Sequence, residues 1–353
     1  MKTVKLLLIS LFVLLSASTA WAGIKINEKN FPDTNFRTWL LSQEYGKDGV
    51  LTNKEIANIE EIIVDSLKIK NLKGIEYFTA LNKLHCRFNE LTTLDVSKNT
   101  ALEILSCGRN RMTALNVSGC TALRVLFCQR NQITALDLSG CTALKEVCCL
   151  DNKLTTLDVS KNTKLEYLYC SHNLLNTLDV SKNTKLWGLN CEFNRMSSLN
   201  VSGCTALKDL DCSENLLEKL DVSGKTALHT LKCWNNKLWD LNVLGCTALK
   251  SLRCDKNQFS SDKWDVLLER LPTTTSGHLY VYHTLGALEL NDEMTTAQVE
   301  AAKAKGWKTF CTGGWKECAG QEDHSQALKD TLYVDIDWTE IVEQELSKEG
   351  VSK

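Results

Sequence analysis

The sequence predicts a solenoid of short stacked coils, with a parallel β-sheet along its concave side. A fixed repeat of about 20 residues indicates one small unit stacked many times. Within each repeat, leucines at fixed positions precede the conserved-phase residues. The first observation is a column of nine cysteines, 21 residues apart, at Cys86, Cys107, Cys128, Cys149, Cys170, Cys191, Cys212, Cys233 and Cys254. The second is an asparagine column three residues further on, at Asn89, Asn110, Asn131, Asn152, Asn173, Asn194, Asn215, Asn236 and Asn257.

Each 21-residue unit contains two halves. In the first half, Leu105, Ser106 and Cys107 alternate as a short strand does, with leucine and cysteine inward and serine outward. Asn110 then turns the chain, and its amide is expected to bond backbone groups of adjacent coils, so that the asparagines form a ladder. The second half, residues 94–97, is expected to return along the convex side. Because 21 residues leave no room for a full helix, short strands or turns are predicted there.

The N-terminal 22 residues have the pattern of a secretory signal peptide. Lys2 and Lys5 precede an apolar run, and Ala20 and Ala22 provide a small-x-small cleavage pattern. The apolar run is too short for a lasting membrane span, and no later stretch approaches the ~20 residues that one needs. We therefore expect an exported chain without a transmembrane segment. Free secretion, attachment to the cell surface and residence in the periplasm all stay open.

Sixteen cysteines in an exported chain would ordinarily indicate disulfides. The periodicity argues for free thiols instead. Cysteines at one position of successive coils lie on strands about 4.8 Å apart and point the same way, whereas a disulfide needs converging Cβ atoms about 3.8 Å apart. We expect buried, reduced side chains that pack as small hydrophobes. Cys311 and Cys318 lie outside this column around a hairpin-like turn, and the sequence leaves their pairing as a disulfide open.

Caps are expected at both ends of the repeats. Residues 59–259 are predicted to form one irregular coil and nine regular ones. Residues 23–58 are expected to form a helical N-terminal cap, with helices at 36–42 and 53–61, because an uncovered terminal coil would expose its apolar face. Residues 260–320 are expected to form an α/β C-terminal cap, with helices at 262–271 and 295–305 around a strand at 279–281. Residues 321–353 are interpreted as a tail.

The Leu-x-x-Leu-x-Cys-x-x-Asn pattern, followed by Leu-x-x-Leu-Asp-Val-Ser, resembles bacterial leucine-rich repeat proteins of the cysteine-ladder, internalin J-like kind. The resemblance is close from Leu81 to Phe259 and extends with less regularity into the N-terminal segment. It implies a leucine-rich repeat solenoid in a secreted or surface protein. It also implies a role in adhesion or in contact with a host or another cell surface.

The positions that point outward from the predicted concave sheet change at every coil, although the inward positions hardly vary. They predict an apolar and aromatic patch in the middle coils, followed by acidic and then basic residues, with tryptophans at the rims. An exposed apolar patch edged by charge is typical of a binding surface. Alternatively, the aromatic residues simply suit strands and stack along the solenoid. The residues expected to bind a partner are Ile104, Val125, Phe127, Tyr167, Tyr169, Trp187, Asp209, Asp211, Lys232, Trp234 and Arg253. Cys148, in the same outward column, is predicted to be the thiol best placed to react or pair.

Two functional hypotheses follow. The first is a secreted, non-enzymatic protein that binds a protein, or alternatively a glycan, on its concave surface. The second is a structural spacer or envelope component without a specific ligand. An enzyme in the C-terminal cap would need converging acids, bases or nucleophiles, and only Asp335, Asp337 and Glu340 stand out there. No catalytic residue, metal or cofactor is therefore predicted.

Charge narrows the choice of partner. The full chain has a formal net charge of −2, and removal of residues 1–22, which hold two lysines and no acid, gives −4. A mildly acidic chain without a basic stripe is a poor ligand for phosphate backbones, so nucleic acid is not expected as a partner. We expect a monomer.

Overall fold

Thirteen strands form the main β-sheet in the part of the chain described by the structure, a computed structural model that covers residues 23–282, 291–311 and 316–317. The strands follow one another in chain order, and every neighbouring pair is parallel except the last. This arrangement confirms the predicted leucine-rich repeat solenoid. The strands are Glu61–Ile63, Lys83–His85, Ile104–Ser106, Val125–Phe127, Glu146–Cys148, Tyr167–Tyr169, Gly188–Asn190, Asp209–Asp211, Thr230–Lys232, Ser251–Arg253, Gly277–Tyr282, Trp307–Cys311 and Lys316–Glu317.

The inward residues of these strands build a continuous core between the concave and convex sides. In a typical coil, Leu168 at the centre of the strand and Cys170 just after it are fully buried. Leu168 pairs in register with Val147 on one side and Leu189 on the other. Because the same side chain recurs at the same height in each coil, apolar surface is removed from water without any change in packing from coil to coil.

The asparagine ladder joins each coil to the preceding one. The side-chain amide of Asn152 donates to the carbonyl oxygens of Cys149, 3.1 Å away in its own coil, and Cys128, 3.0 Å away in the coil before. Its side-chain oxygen accepts from the backbone N–H of Ile133 at 3.0 Å. The same pattern recurs along the column, so turn groups that would otherwise be buried without partners are satisfied.

A second ladder runs along the convex side, where cysteine and asparagine alternate at one repeat position. The Asn162 amide donates to the carbonyl oxygen of Leu138 at 3.0 Å, and the Cys120 thiol donates to the carbonyl oxygen of Val96 at 3.3 Å. Both donors therefore reach the residue 24 positions earlier. Either side chain satisfies the same buried carbonyl, which explains why the two residue types exchange here.

The convex side consists of short strands and turns, as predicted. Three pairs of three-residue strands are parallel and in register. Between these pairs the convex segments are turns, without a helix in the regular coils that the structure describes. The paired convex strands are Thr93–Asp95 with Ala114–Asn116, Thr177–Asp179 with Ser198–Asn200, and Lys219–Asp221 with Asp240–Asn242.

The N-terminal segment covers the first coil. The helix Thr34–Ser42 begins at Asp33, whose carboxylate accepts from the Phe36 N–H, and the helix buries Phe36 and Leu40. A second helix, Asn53–Ile56, is shorter than the predicted 53–61, because the strand at 61–63 already belongs to the main sheet. The remaining elements here are the antiparallel strands Ile24–Lys25 and Val50–Leu51 and the 3₁₀ turns Glu44–Gly46 and Ile75–Tyr77.

The C-terminal segment extends the sheet and covers its last regular coil. The helices Ser261–Arg270 and Thr296–Ala304 contact each other, and Trp264 and Trp307 are among the largest fully buried side chains. The Trp264 indole donates to the carbonyl oxygen of Asp292, and the Trp307 indole donates to that of Pro272, both at 2.8 Å. Cys318 and residues 321–353 lie outside the described residues, so the proposed Cys311–Cys318 disulfide stays a prediction.

Candidate functional site

The outward strand positions form two columns across the concave sheet. Strand pairing places Tyr167 beside Gly188 and then Asp209, and it places Tyr169 beside Asn190 and then Asp211. Further along the second column, Lys232 and Arg253 follow in register. The residues predicted to bind a partner therefore do lie on one face and in adjacent coils, whereas their exposure differs widely.

Four of these outward residues are buried, and the prediction that they form an exposed patch is wrong. Ile104, Val125, Phe127 and Cys148 pack together as a separate apolar cluster on the concave face, each at most 6% exposed. The direction of a side chain from a strand does not fix its exposure. In-register strands about 4.8 Å apart bring these side chains into contact with one another, and Leu150 and Tyr169 cover them.

Cys148 is consequently not a reactive thiol, contrary to the prediction. It is 1% exposed, and burial raises the pKa of its thiol well above the usual range. A thiol held in its neutral form is a poor nucleophile. The fourteen described cysteines, Cys148 among them, are all buried free thiols.

Two tyrosines and a tryptophan form the aromatic part of the face. The Tyr167 and Tyr169 rings stack, with centroids 6.3 Å apart and planes within 4° of each other. Trp187 stands edge-on to Tyr167, at 6.4 Å and 75°, and is 44% exposed. Tyr169 also packs on the buried apolar cluster, so the aromatic group is held against a fixed floor. Rigid aromatic side chains of this kind lose little entropy when a partner covers them.

Gly188 leaves a gap in the first outward column, between Tyr167 and Asp209. A Cβ atom at this position would lie 3.0 Å from Cδ1 of Tyr167, so the tyrosine ring leans over the glycine. No other heavy atom counted among the three nearest lies within 4 Å of that point. We call the gap bounded by Tyr167, Gly188 and Asp209 the Gly188 notch.

Carboxylates gather on the C-terminal side of this notch. Asp209 is exposed, and Asp211 is half-buried with the Lys232 ammonium 3.6 Å from its Oδ2. Glu192, which the sequence reasoning did not single out, accepts a 3.3 Å hydrogen bond from the Asn190 amide. Burial, and secondarily the negative charge of Asp211, raise the pKa of Glu192 to about 7.

The basic residues of the face lie beyond the carboxylates and contact aromatic rings. The Arg253 guanidinium lies 4.4 Å from the centroid of Trp234, and its Nε donates to Asp255 at 2.9 Å. The Lys208 ammonium lies 4.1 Å from the centroid of Trp187. Cations over aromatic rings are therefore already present within the chain on both sides of the notch.

A further row of rim residues was missed from the sequence. The second residue after each ladder cysteine has a positive φ, including Phe88 at 54° and Phe193 at 49°. These two rings are exposed, and Phe193 stacks on His172 with centroids 4.4 Å apart. Bulky residues rarely adopt this left-handed conformation. The available signal was the constant two-residue spacing from cysteine to this position, within a turn that has no glycine except in the masked or irregular regions.

Comparisons with known proteins agree with this architecture. The ladder of cysteines and the concave parallel sheet define a leucine-rich repeat solenoid of the cysteine-ladder class. A solved functional domain of InlJ from Listeria monocytogenes, which includes a cysteine ladder, is similar to the chain: the TM-score is 0.66 at 29% identity, over 85% of this chain and 64% of that one. Internalin J of Listeria monocytogenes serotype 4b is 36% identical over 71 residues, which are 20% of this chain and 8% of that protein.

Other solved structures share the fold alone. The LRIM1/APL1C complex has a chain with a TM-score of 0.52 at 20% identity, over 62% of this chain and 48% of that one. No protein-family model matches the chain. The chain thus spans about two thirds of the InlJ domain and a small part of the full internalin J. Among the described residues, no helix has the length and apolar character needed to cross a bilayer.

Proposed function

We propose that the chain is an exported, non-enzymatic binding protein whose concave repeat surface recognises a protein partner. One observation supports this more than any other: Tyr167, Tyr169 and the exposed Trp187 form one aromatic group on a floor of buried side chains. A surface that is aromatic, fixed and partly exposed suits protein recognition, because the cost of ordering it has already been met on folding. Adhesion or contact with another cell surface would be one use of such binding.

The proposed organisation of the chain follows the same reasoning. Residues 1–22 would direct export, residues 23–58 would cap the first coil, and residues 59–259 would present the binding face. Residues 260–320 would cap the other end, and residues 321–353 would form a tail. We propose a monomer that acts outside the cytoplasm, with its mode of surface attachment left to experiment.

The alternative, a structural spacer, is favoured by one specific observation. Ile104, Val125, Phe127 and Cys148 satisfy one another on the concave face and offer little surface to a partner. That part of the face therefore suits a purely structural role. The two candidates differ at the tyrosines, which would be essential for binding in the first and unimportant in the second.

The test is affinity capture with the immobilised full chain and its variants, from extracts of neighbouring or host cells. Tyr167→Ala combined with Tyr169→Ala should abolish capture of a protein that the unmodified chain retains. Trp239→Ala is the matched control, because Trp239 is an exposed aromatic residue on the convex side. Equal capture by the double variant and the control would contradict the proposal and favour the spacer.

A further inference from the structure

The Gly188 notch is the one interruption in the outward side chains of the middle coils. Gly188 pairs with Tyr167 and Asp209, and its missing side chain leaves space above the strand on the side of Asp209. The Tyr167 ring forms one wall, and Trp187 stands at the rim. A slender side chain from a partner could lie along the strand here, against the face of an aromatic ring.

Charge identifies the kind of side chain that fits. The Asp209 carboxylate is exposed and makes no hydrogen bond or ion pair with another described residue. Asp211 lies in the neighbouring outward column, one position from it along the same strand, and Glu192 and Glu214 belong to the same two coils. Lys232 is 3.6 Å from Asp211, and Lys208 lies over Trp187. Four carboxylates thus face two lysines in this region, which leaves an excess of negative charge beside the notch.

An aromatic wall together with an unpaired carboxylate is complementary to a cation. Lysine and arginine side chains bind over aromatic faces, and the binding is stronger when a carboxylate is near. The chain itself contains this arrangement at Trp187 with Lys208 and at Trp234 with Arg253. Electrostatic complementarity of this kind also favours one partner over others.

We propose that the Gly188 notch receives a lysine or arginine side chain of the protein partner, with its apolar stem along Tyr167 and its charged end at Asp209. This inference rests on the proposed function and specifies the chemistry of the partner at that site. A basic segment of the partner, rather than an acidic one or a neutral sugar, would cross the concave face at this coil.

The test uses an acetylated, amidated tri-arginine peptide as the probe, titrated calorimetrically into the full chain at low ionic strength. Asp209→Asn should weaken binding about tenfold, the order expected for loss of one charge-assisted contact. Glu218→Gln is the matched control, because it removes one negative charge from an exposed convex position and should leave binding within about twofold. Gly188→Leu, which fills the notch, should weaken binding at least as much as Asp209→Asn.

Several outcomes would overturn the inference. Equal weakening by Asp209→Asn and Glu218→Gln would mean that the peptide senses only net charge. Unchanged binding in Asp209→Asn, which is exposed and should fold normally, would remove the carboxylate from the site. Binding of chitotriose that is lost in Tyr167→Ala but kept in Asp209→Asn would identify a sugar site instead. Any of these results combined with loss of protein capture in the tyrosine variant would leave the proposed function standing without this inference.

Discussion

The side-chain amide of Asn152 donates to the carbonyl oxygen of Cys128 in the preceding coil, across 3.0 Å. The same side chain also bonds its own coil and accepts from Ile133, so one residue satisfies backbone groups of two coils. The ladder is therefore both a turn and a connection between neighbours.

Replacing Asn152 with alanine should destabilise the protein by about 3 kcal/mol, because several buried backbone groups lose their partners together. The measurement is equilibrium unfolding in urea, followed by circular dichroism. Asn176→Ala is the control, since Asn176 is exposed on the convex side, and it should change the free energy of unfolding by less than about 0.5 kcal/mol. Similar losses for the two variants would contradict the role assigned to the ladder.

The ladder cysteines should be unreactive in the folded protein and reactive once it unfolds. Burial raises the thiol pKa values well above their usual range in the concave column, and to about 12 at Cys120 on the convex side. Titration with a thiol reagent at pH 8 should be slow for the native chain. In guanidinium without reductant it should count at least the fourteen described free thiols. A count well below fourteen would mean that the columns form disulfides, and a count of sixteen would leave Cys311 and Cys318 unpaired as well.

The left-handed position after each ladder cysteine should discriminate between residue types. Asp151 has φ = 57° there and a 3.6 Å ion pair with Arg130. Asp151→Val should cost about 1–3 kcal/mol of stability, because a β-branched residue is strained in this conformation. Asp151→Gly should stay within about 1 kcal/mol of the unmodified chain, since glycine adopts it freely. Comparable unfolding midpoints for the two variants would argue against a strained turn.

Glu192 should make stability depend on pH. Its carboxyl has an ordinary pKa of 4.5 and a pKa raised to about 7 in the folded chain, chiefly by burial and then by Asp211. The folded state therefore binds this proton more tightly than the unfolded state does. The contribution of the group to stability is most favourable below pH 4.5 and is lost as the pH rises to 7.

Glu192→Gln imitates the protonated carboxyl, so it should stabilise the protein at pH 8 by about 1–3 kcal/mol and make no difference near pH 4. Chemical unfolding at the two pH values provides the measurement. Glu218→Gln, on the exposed convex side, controls for the change in net charge. A gain from Glu192→Gln that is the same at both pH values would contradict the assigned pKa.

The repeat made most of the fold predictable, and the limits of prediction lie at particular residues. The spacing of Cys149 and Asn152 predicted strand, turn and core, because both recur at every coil and their surroundings are other copies of themselves. The exposure of Phe127 and Cys148 was predicted wrongly. It depends on which side chains stand at the same height in adjacent coils, and the alternation within one strand holds no information about these neighbours.

The candidate site was predictable as a face but not as a geometry. Tyr167, Asp209 and Lys232 share that face because every coil contributes the same two outward positions. The Gly188 notch and the buried state of Glu192 arise from contacts between coils with different side chains. Such contacts vary along the solenoid, so a period alone does not reveal them.

Site-specific photocrosslinking tests the central claim, that the concave face binds a protein partner, most directly. A benzophenone side chain would replace Thr230 on the concave strand, and in a second variant it would replace the exposed Leu244 on the convex side. With extract from the cells used for capture, the Thr230 variant is predicted to yield a discrete crosslinked protein that the Leu244 variant does not. Crosslinks of equal yield from both positions, or from Leu244 alone, would contradict a concave binding surface.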